Sequence, residues 1–296
     1  MKVLCIGNSS YDITIPVEIF PIENKKIKLE HKVIECGGGS GSNAACLLAS
    51  WGVDTTIASV IGNDLYGEKI KKEYLDYHVN TKYLKQINDN TSVSYIIDNL
   101  ENNSRTILVN KNNNLVLDKD LIIDSQYDYI LLDGSNIEFA KQVLSNQNCV
   151  SIIDAGRLSD NIVELSHLVD YVVCSNDFAK DYTGINFSYN NIDDIKKAYD
   201  ILDNDFKGKI VITLENFGSF VKINDDYKLI PSIKIDSLDT TGAGDLYHGA
   251  FVYFLMNNYS LEKIMRLSNI TGALSTRFIG GRNSIPKLDE VLEYDK

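Results

Sequence analysis

The chain has 296 residues, 44% hydrophobic and 24% charged, with 29 basic against 41 acidic side chains. It is long enough to bury a core without cross-links, and its length suits about two domains of roughly 150 residues each or one α/β unit with an insert. A net charge of −12 argues against nucleic acid and membrane as partners, since both demand clustered positive charge, but leaves room for a small anion met by backbone N–H groups and a metal ion.

Cys5, Cys36, Cys46, Cys149 and Cys174 are odd in number and lack CxxC spacing. They read as core thiols of a reducing compartment, so a cytoplasmic location is expected. The apolar run Val3–Ile6 is too short for a signal peptide, and no 18-residue apolar stretch suggests a membrane span. His31, His78, His167 and His248 lie at no ligand spacing from one another, and no metal-ligating residue is assigned.

In chain order, Lys2–Ile6 is a continuous apolar run of the kind that parallel sheets bury on both faces. Tyr11–Val17 and Ile27–Ile34 alternate with period two, which predicts half-exposed antiparallel strands. A helix is predicted over Asn43–Trp51, a strand over Thr55–Ile61 and a helix over Leu65–Asp76. Ser92–Ile97 and Thr106–Val109 alternate again. Strands Tyr129–Leu132, Val150–Ile153, Tyr171–Cys174 and Lys209–Leu214 then interleave with helices Ile137–Asn146 and Ile192–Leu202. Strand-like Ile233–Ile235 and a helix Asp245–Met256 complete the reading. Such alternation predicts an α/β layer fold with right-handed crossovers. The four period-two strands form either one small separate sheet or two surface hairpins.

Asp239-Thr240-Thr241-Gly242-Ala243-Gly244-Asp245 opens the last of these helices. Glycines are poor helix formers, but there they present N–H groups to a close-approaching anion, with the helix dipole behind them. Phosphoryl transfer suits this pattern: the N–H groups of Gly242, Ala243 and Gly244 stabilise the transferring phosphate, and Asp245 accepts the proton of an attacking hydroxyl. Locally the same residues also read as a glycine-rich turn with a first-turn acid. A second cluster, Gly37–Ala45, spells Gly39-x-Gly41-x-x-Ala44, a formal match to the dinucleotide fingerprint. That fingerprint belongs after the first strand of a βαβ unit, and here it follows an alternating run. Small-residue helix packing explains the cluster equally well. Neither cluster spells a Walker-type loop.

Taken together, Gly38-Gly39-x-Gly41-x-Asn43-x-Ala45, Gly62-x-Asp64-x-x-Gly67 and Asp239–Asp245 resemble, in order and spacing, the PfkB/ribokinase family of carbohydrate kinases. The resemblance covers nearly the whole chain. It implies a ribokinase-like three-layer α/β/α sandwich with a mostly parallel central sheet and a small β lid. Residues 1–10, 36–90 and 111–296 would form the catalytic body, and 11–35 and 91–110 the lid. It further implies ATP-dependent phosphorylation of a sugar hydroxyl with Mg²⁺, with Asp245 as general base. Asp12, Gly38, Gly39 and Asn43 fall at sugar-binding positions; read alone, Asp12 is a strand-edge charge and Asn43 a helix cap. Nucleotide contacts are implied at Asn176, Thr213, Glu215, Gly218, Asn269 and Gly281. A monovalent cation such as K⁺ near Asp239, and a homodimer through the lid, are implied as well.

Two positions depart from the family pattern. Glu215 stands where a glycine is usual. The family's Asn-x-x-Glu, associated with the magnesium water network, reads Asn176-Asp177-Phe178-Ala179. Arg157 is either a phosphate contact or a surface charge, and Lys25, Lys26, Lys28 and Arg105 in the lid segments are candidates for a phosphorylated acceptor. A nucleoside kinase of the same fold, and a catalytically weak binding regulator suggested by Ala179, remain alternatives. An NAD-type oxidoreductase is set aside once Asp239–Asp245 is counted.

Overall fold

The computed structural model describes residues 1–102 and 104–295. From the N-terminus, β1 (Lys2–Ile6) leads into β2 (Ser10–Val17), β3 (Ile34–Gly38) and α1 (Ser40–Ser50). Next come β4 (Asp54–Gly62), α2 (Leu65–Asp76), β5 (Asn80–Ile87), β6 (Ser92–Asn99) and β7 (Ser104–Asn110). A regular alternation follows: β8 (Tyr129–Leu132), α3 (Ile137–Asn146), β9 (Val150–Ala155), α4 (Asp160–Ser166), β10 (Tyr171–Ser175), α5 (Asn176–Thr183), α6 (Ile192–Asp205) and β11 (Lys209–Thr213). The chain closes with β12 (Ser219–Ile223), β13 (Asp226–Ile230), α7 (Ala243–Met256), α8 (Leu261–Ser275) and α9 (Leu288–Glu293).

The main sheet has the order β13-β12-β11-β10-β9-β8-β1-β4-β5. It is parallel from β11 to β5 and antiparallel only at the β12 and β13 edge. Asn224 and Asp225, both at positive φ, make the tight hairpin that joins β12 to β13. Successive side chains of a strand face opposite sides. Val3 and Cys5 therefore pack with α1, α2, α7, α8 and α9, while Leu4 and Ile6 pack with α3, α4, α5 and α6. Two apolar cores on the two faces of one sheet make a three-layer α/β/α sandwich.

The smaller sheet has the order β3-β2-β6-β7. The strand expected over Ile27–Ile34 is displaced: pairing with β2 begins only at Ile34 and runs to Gly38. Ile27 and Leu29 are exposed, so their alternation has no face to bury and drives no pairing. The expectation of antiparallel strands also needs correction, because β2 and β6 pair in parallel. Ile233–Ile235 belongs to no strand.

Gly62-x-Asp64-x-x-Gly67 proves to be a capping device. Asp64 caps α2 by accepting the N–H of Gly67 at 2.8 Å, and it binds the hydroxyl and N–H of Thr91 at 2.6 and 2.9 Å. Burial works against its charge, yet these hydrogen bonds hold its carboxyl below the usual range. Such a cap contributes about 1 kcal/mol. The five cysteines are free thiols, four of them buried. Among the described residues no helix is long and apolar enough to cross a membrane.

Candidate active site

Strand order decides where the site lies. From β1 the chain first builds β4 and β5 on one side, then β8 to β11 on the other. Such a reversal opens a crevice at the C-terminal ends of the strands. Asp133, just past β8, anchors its floor: one carboxylate oxygen accepts the N–H groups of Asn8 and Gly41 at 2.7 and 3.1 Å, the other that of Ser135 at 2.9 Å. The start of α1 is thereby drawn to the end of β1.

The N-terminus of α7 faces the same region. Gly242 caps it in the left-handed conformation, φ 78°, and a Cβ there would come within 2.8 Å of the Gly281 backbone. Around Gly244 there is open space among the described residues. The first-turn amides of a helix have no acceptor within it, so this end offers an approaching anion both donors and a dipole. Asp239 is buried and joins two loops, its oxygens accepting the N–H groups of Thr241 and Gly280, each at 2.8 Å. From β7 of the small sheet, Arg105 donates to the hydroxyl of Thr240.

Asp245, in the first turn of α7, accepts a hydrogen bond from the Asn43 amide at 2.8 Å. Asn43 is no helix cap, because α1 begins at Ser40 with Gly39 at its cap. Nor is Asp12 a strand-edge charge: β2 lies between β3 and β6, and Asp12 is buried. Burial pushes its carboxyl up to about 6, against a hydrogen bond from Ser94, and the Asp245 charge adds to the rise. Gly38 packs so closely on Asp12 that a Cβ would stand 2.1 Å from its carboxylate. Behind them Asp154, at the end of β9, is also raised to about 6 by burial, with the His248 ring opposing from 3.5 Å and the charges of Asp245 and Asp133 adding. Asp12, Asp133, Asp154 and Asp245 make the crevice rich in acceptors, and the α7 terminus supplies the donors.

The residues expected to meet the nucleotide divide between two places. Asn176, Thr213, Glu215 and Gly218 gather beyond the C-terminal ends of β10 and β11, where Ser175 and Thr213 are register partners. The Asn176 amide bonds the Tyr189 hydroxyl at 2.8 Å and Asp177 at 3.1 Å. Glu215 is exposed and holds the left-handed conformation, φ 52°, which explains why a glycine suits this turn. Asn269 instead donates to the Ile230 carbonyl at 2.9 Å and ties α8 to β13. Gly281 sits against Gly242 and Asn43, at the Asp245 end.

Ala179 is fully buried in the core beneath α5. Asp177 is exposed and borders a shallow surface depression with Arg157, Lys180 and Asp181. Among the described residues no three His, Cys, Asp or Glu side chains converge to cage a metal.

Behind Asn43 lies Arg282, which donates to the Asn43 Oδ1 at 3.4 Å and pairs with Glu73 at 2.9 Å. Asp133, Asp154, Glu73 and Arg282 were missed by sequence reasoning. The first two had a signal, an apolar strand run closed by an aspartate. Glu73 and Arg282 had none.

The sequence matches the pfkB family of carbohydrate kinases over residues 1–288. It is 25% identical to a ribokinase of Haemophilus influenzae, covering 98% of this chain and 96% of that one. A ribokinase of Staphylococcus aureus is 26% identical, with 98% of each chain covered. The structure of an Arabidopsis thaliana ribokinase complexed with ribose and ATP superimposes with a TM-score of 0.82 at 22% identity, covering 99% of this chain and 97% of that one. The chain belongs to the pfkB family of carbohydrate kinases.

Proposed function

We propose that this chain transfers the γ-phosphate of ATP to a hydroxyl of a small unphosphorylated sugar, with Asp245 as general base. As a pfkB family member it is an ATP-dependent carbohydrate kinase, a phosphotransferase with an alcohol acceptor. The observation that carries the assignment of Asp245 is its place: it is held by Asn43 at 2.8 Å beside the open amide end of α7.

In this reading Asp12, Asn43 and the backbone at Gly38 and Gly39 hold the sugar, since carboxylate and amide groups supply the several acceptors and donors a polyol needs. The free oxygen of Asp245 takes the hydroxyl proton as the sugar oxygen attacks phosphorus in line. The N–H groups of Gly242, Ala243 and Gly244 stabilise the charge on the transferring group, and ADP leaves. Asn176, Thr213, Glu215 and Gly218 form the nucleotide end, with Asn269 and Gly281 bracing its surroundings. Mg²⁺ carried on the ATP phosphates would neutralise part of their charge, with Asn176 and Asp177 as the nearest side-chain oxygens on this chain. Thr241, whose hydroxyl is buried without a partner among the described residues, together with Asp239, would border a monovalent cation such as K⁺.

Residues 11–35 and 91–110 act as a lid over the body formed by 1–10, 36–90 and 111–296, and the Arg105–Thr240 contact supports closure that keeps water from the phosphate. Exposed Ile107, Leu108 and Val109 on β7 support a homodimer through this lid. The free buried thiols support a cytoplasmic location.

An unphosphorylated acceptor is favoured because Arg282, the guanidinium beside Asn43, is already paired with Glu73 at 2.9 Å. Arg105 beside the anion motif favours the second reading, a phosphorylated acceptor. ADP release over free pentoses, free hexoses, sugar phosphates and nucleosides, with Asp245→Asn as control, decides. Turnover of free sugars alone supports the first reading and of sugar phosphates alone the second. Turnover of nucleosides alone would move the acceptor class, and sugar binding without turnover would indicate a regulator.

A further inference from the structure

Arg282 follows the Gly280-Gly281 pair and is 1% exposed. A buried guanidinium is costly unless every donor is met, and here the partners come from three directions. Glu73 on α2 pairs with it at 2.9 Å and also accepts the Gly37 N–H at 2.8 Å. Ser42 on α1 takes a second donor, and the Tyr74 ring lies beneath at 5.2 Å. The Tyr74 hydroxyl is fixed in turn between Ser9 at 2.6 Å and Ser42 at 2.5 Å. The third direction is the side-chain Oδ1 of Asn43, which accepts from Nε at 3.4 Å.

An asparagine amide has an acceptor on one side and donors on the other. Asn43 lies between a guanidinium, which only donates, and the Asp245 carboxylate, which when ionised only accepts. One orientation satisfies both: Oδ1 toward Arg282 and Nδ2 toward Asp245. The flipped amide would set donor against donor and acceptor against acceptor.

We propose that Arg282 is a positioning residue: through the Asn43 amide it orients the Asp245 carboxylate, leaving one carboxylate oxygen free for the acceptor hydroxyl. This rests on the assignment of Asp245 as base. Arg282 itself touches neither sugar nor nucleotide in this role.

The test replaces the ion pair without stranding a charge. Glu73→Gln keeps an acceptor for Gly37, and Arg282→Met fills the stem volume with a flexible apolar chain. The double variant is measured for kcat, both KM values and thermal midpoint, with and without Asn43→Ala. We expect kcat to fall by about 10- to 100-fold with the KM for ATP unchanged, and the same pair of changes to cost less than about threefold once Asn43 is alanine, as coupled residues require. An equal loss in both backgrounds, or no loss of kcat, overturns the proposal. If the double variant does not fold, Arg282→Lys, which keeps the charge but not the fork, enters the same cycle under the same criteria. Turnover by Asp245→Asn equal to that of the unsubstituted chain would sink the base assignment itself, separately from the cycle.

Discussion

Asn43, in the first turn of α1, donates its amide to Asp245, in the first turn of α7, across 2.8 Å and 202 positions of sequence. Two helices on the same face of the sheet thus present their N-terminal turns to each other. A sugar hydroxyl bound between them would meet its proton acceptor and the amide end of α7 together.

Replacing Asp245 by Asn keeps the shape and the Asn43 contact but removes the proton acceptor. We expect kcat to fall by about 10²- to 10⁴-fold, the usual contribution of general-base catalysis, with the KM for sugar little changed. Steady-state ADP release measures both quantities, and undiminished kcat would refute the role.

Gly38→Ala should separate sugar from nucleotide. The new methyl would stand 2.1 Å from the Asp12 carboxylate, so β2 or Asp12 must shift. Sugar affinity should fall at least about tenfold, since a displacement of about 1 Å can cost far more, while ATP binding stays intact. Titration calorimetry with each ligand separates the two effects, and equal weakening of both would contradict this placement of Asp12.

Asp12 also links the site to stability. Its carboxyl rises from 3.8 to about 6 in the fold, chiefly by burial, so the native state keeps a proton that the unfolded chain has lost. The stability it contributes is complete below the unfolded value and is lost as pH rises through about 6. Asp12→Asn should therefore stabilise the protein near pH ~7 by up to roughly 3 kcal/mol, weaken sugar binding and flatten the pH dependence between about 4 and 6. Denaturant unfolding at several pH values reads this, and an unchanged slope would rule out Asp12 as the source.

Glu215 holds a left-handed conformation, φ 52°, that costs a residue with a Cβ about 1–2 kcal/mol. Glu215→Gly should raise stability by about 1 kcal/mol, whereas Glu215→Ala should give no such gain. If both variants stabilise equally by chemical denaturation, the charge and not the backbone is responsible.

The amino-acid sequence by itself determined most of the central sheet, the helix opened by Asp239–Asp245 and Asp245 as a candidate base, whereas Asp12 and Asn43 became candidates only through the family resemblance. Apolar runs, helical periods and a glycine-rich helix start are written within a few neighbouring residues, so they survive without knowledge of the rest of the chain. Strand β3 of the small sheet was misplaced because the alternation over Ile27–Ile34 records a pattern without a partner. Pairing depends on what lies opposite, and Ser10–Thr14 meets Ile34–Gly38 instead.

Only the tertiary structure decided how the candidates converge. The reversal of strand order at β1 brings Asp133, Asp154 and the starts of α1 and α7 to one crevice. Tertiary contacts also join Asp64 to Thr91 and tie Asn269 on α8 to Ile230 at the end of β13. The Arg282–Glu73 pair spans 209 positions, and neither residue is unusual in its local context. Whether a charge is exposed or buried against a carboxylate depends on chain topology, and no short window of sequence carries that information.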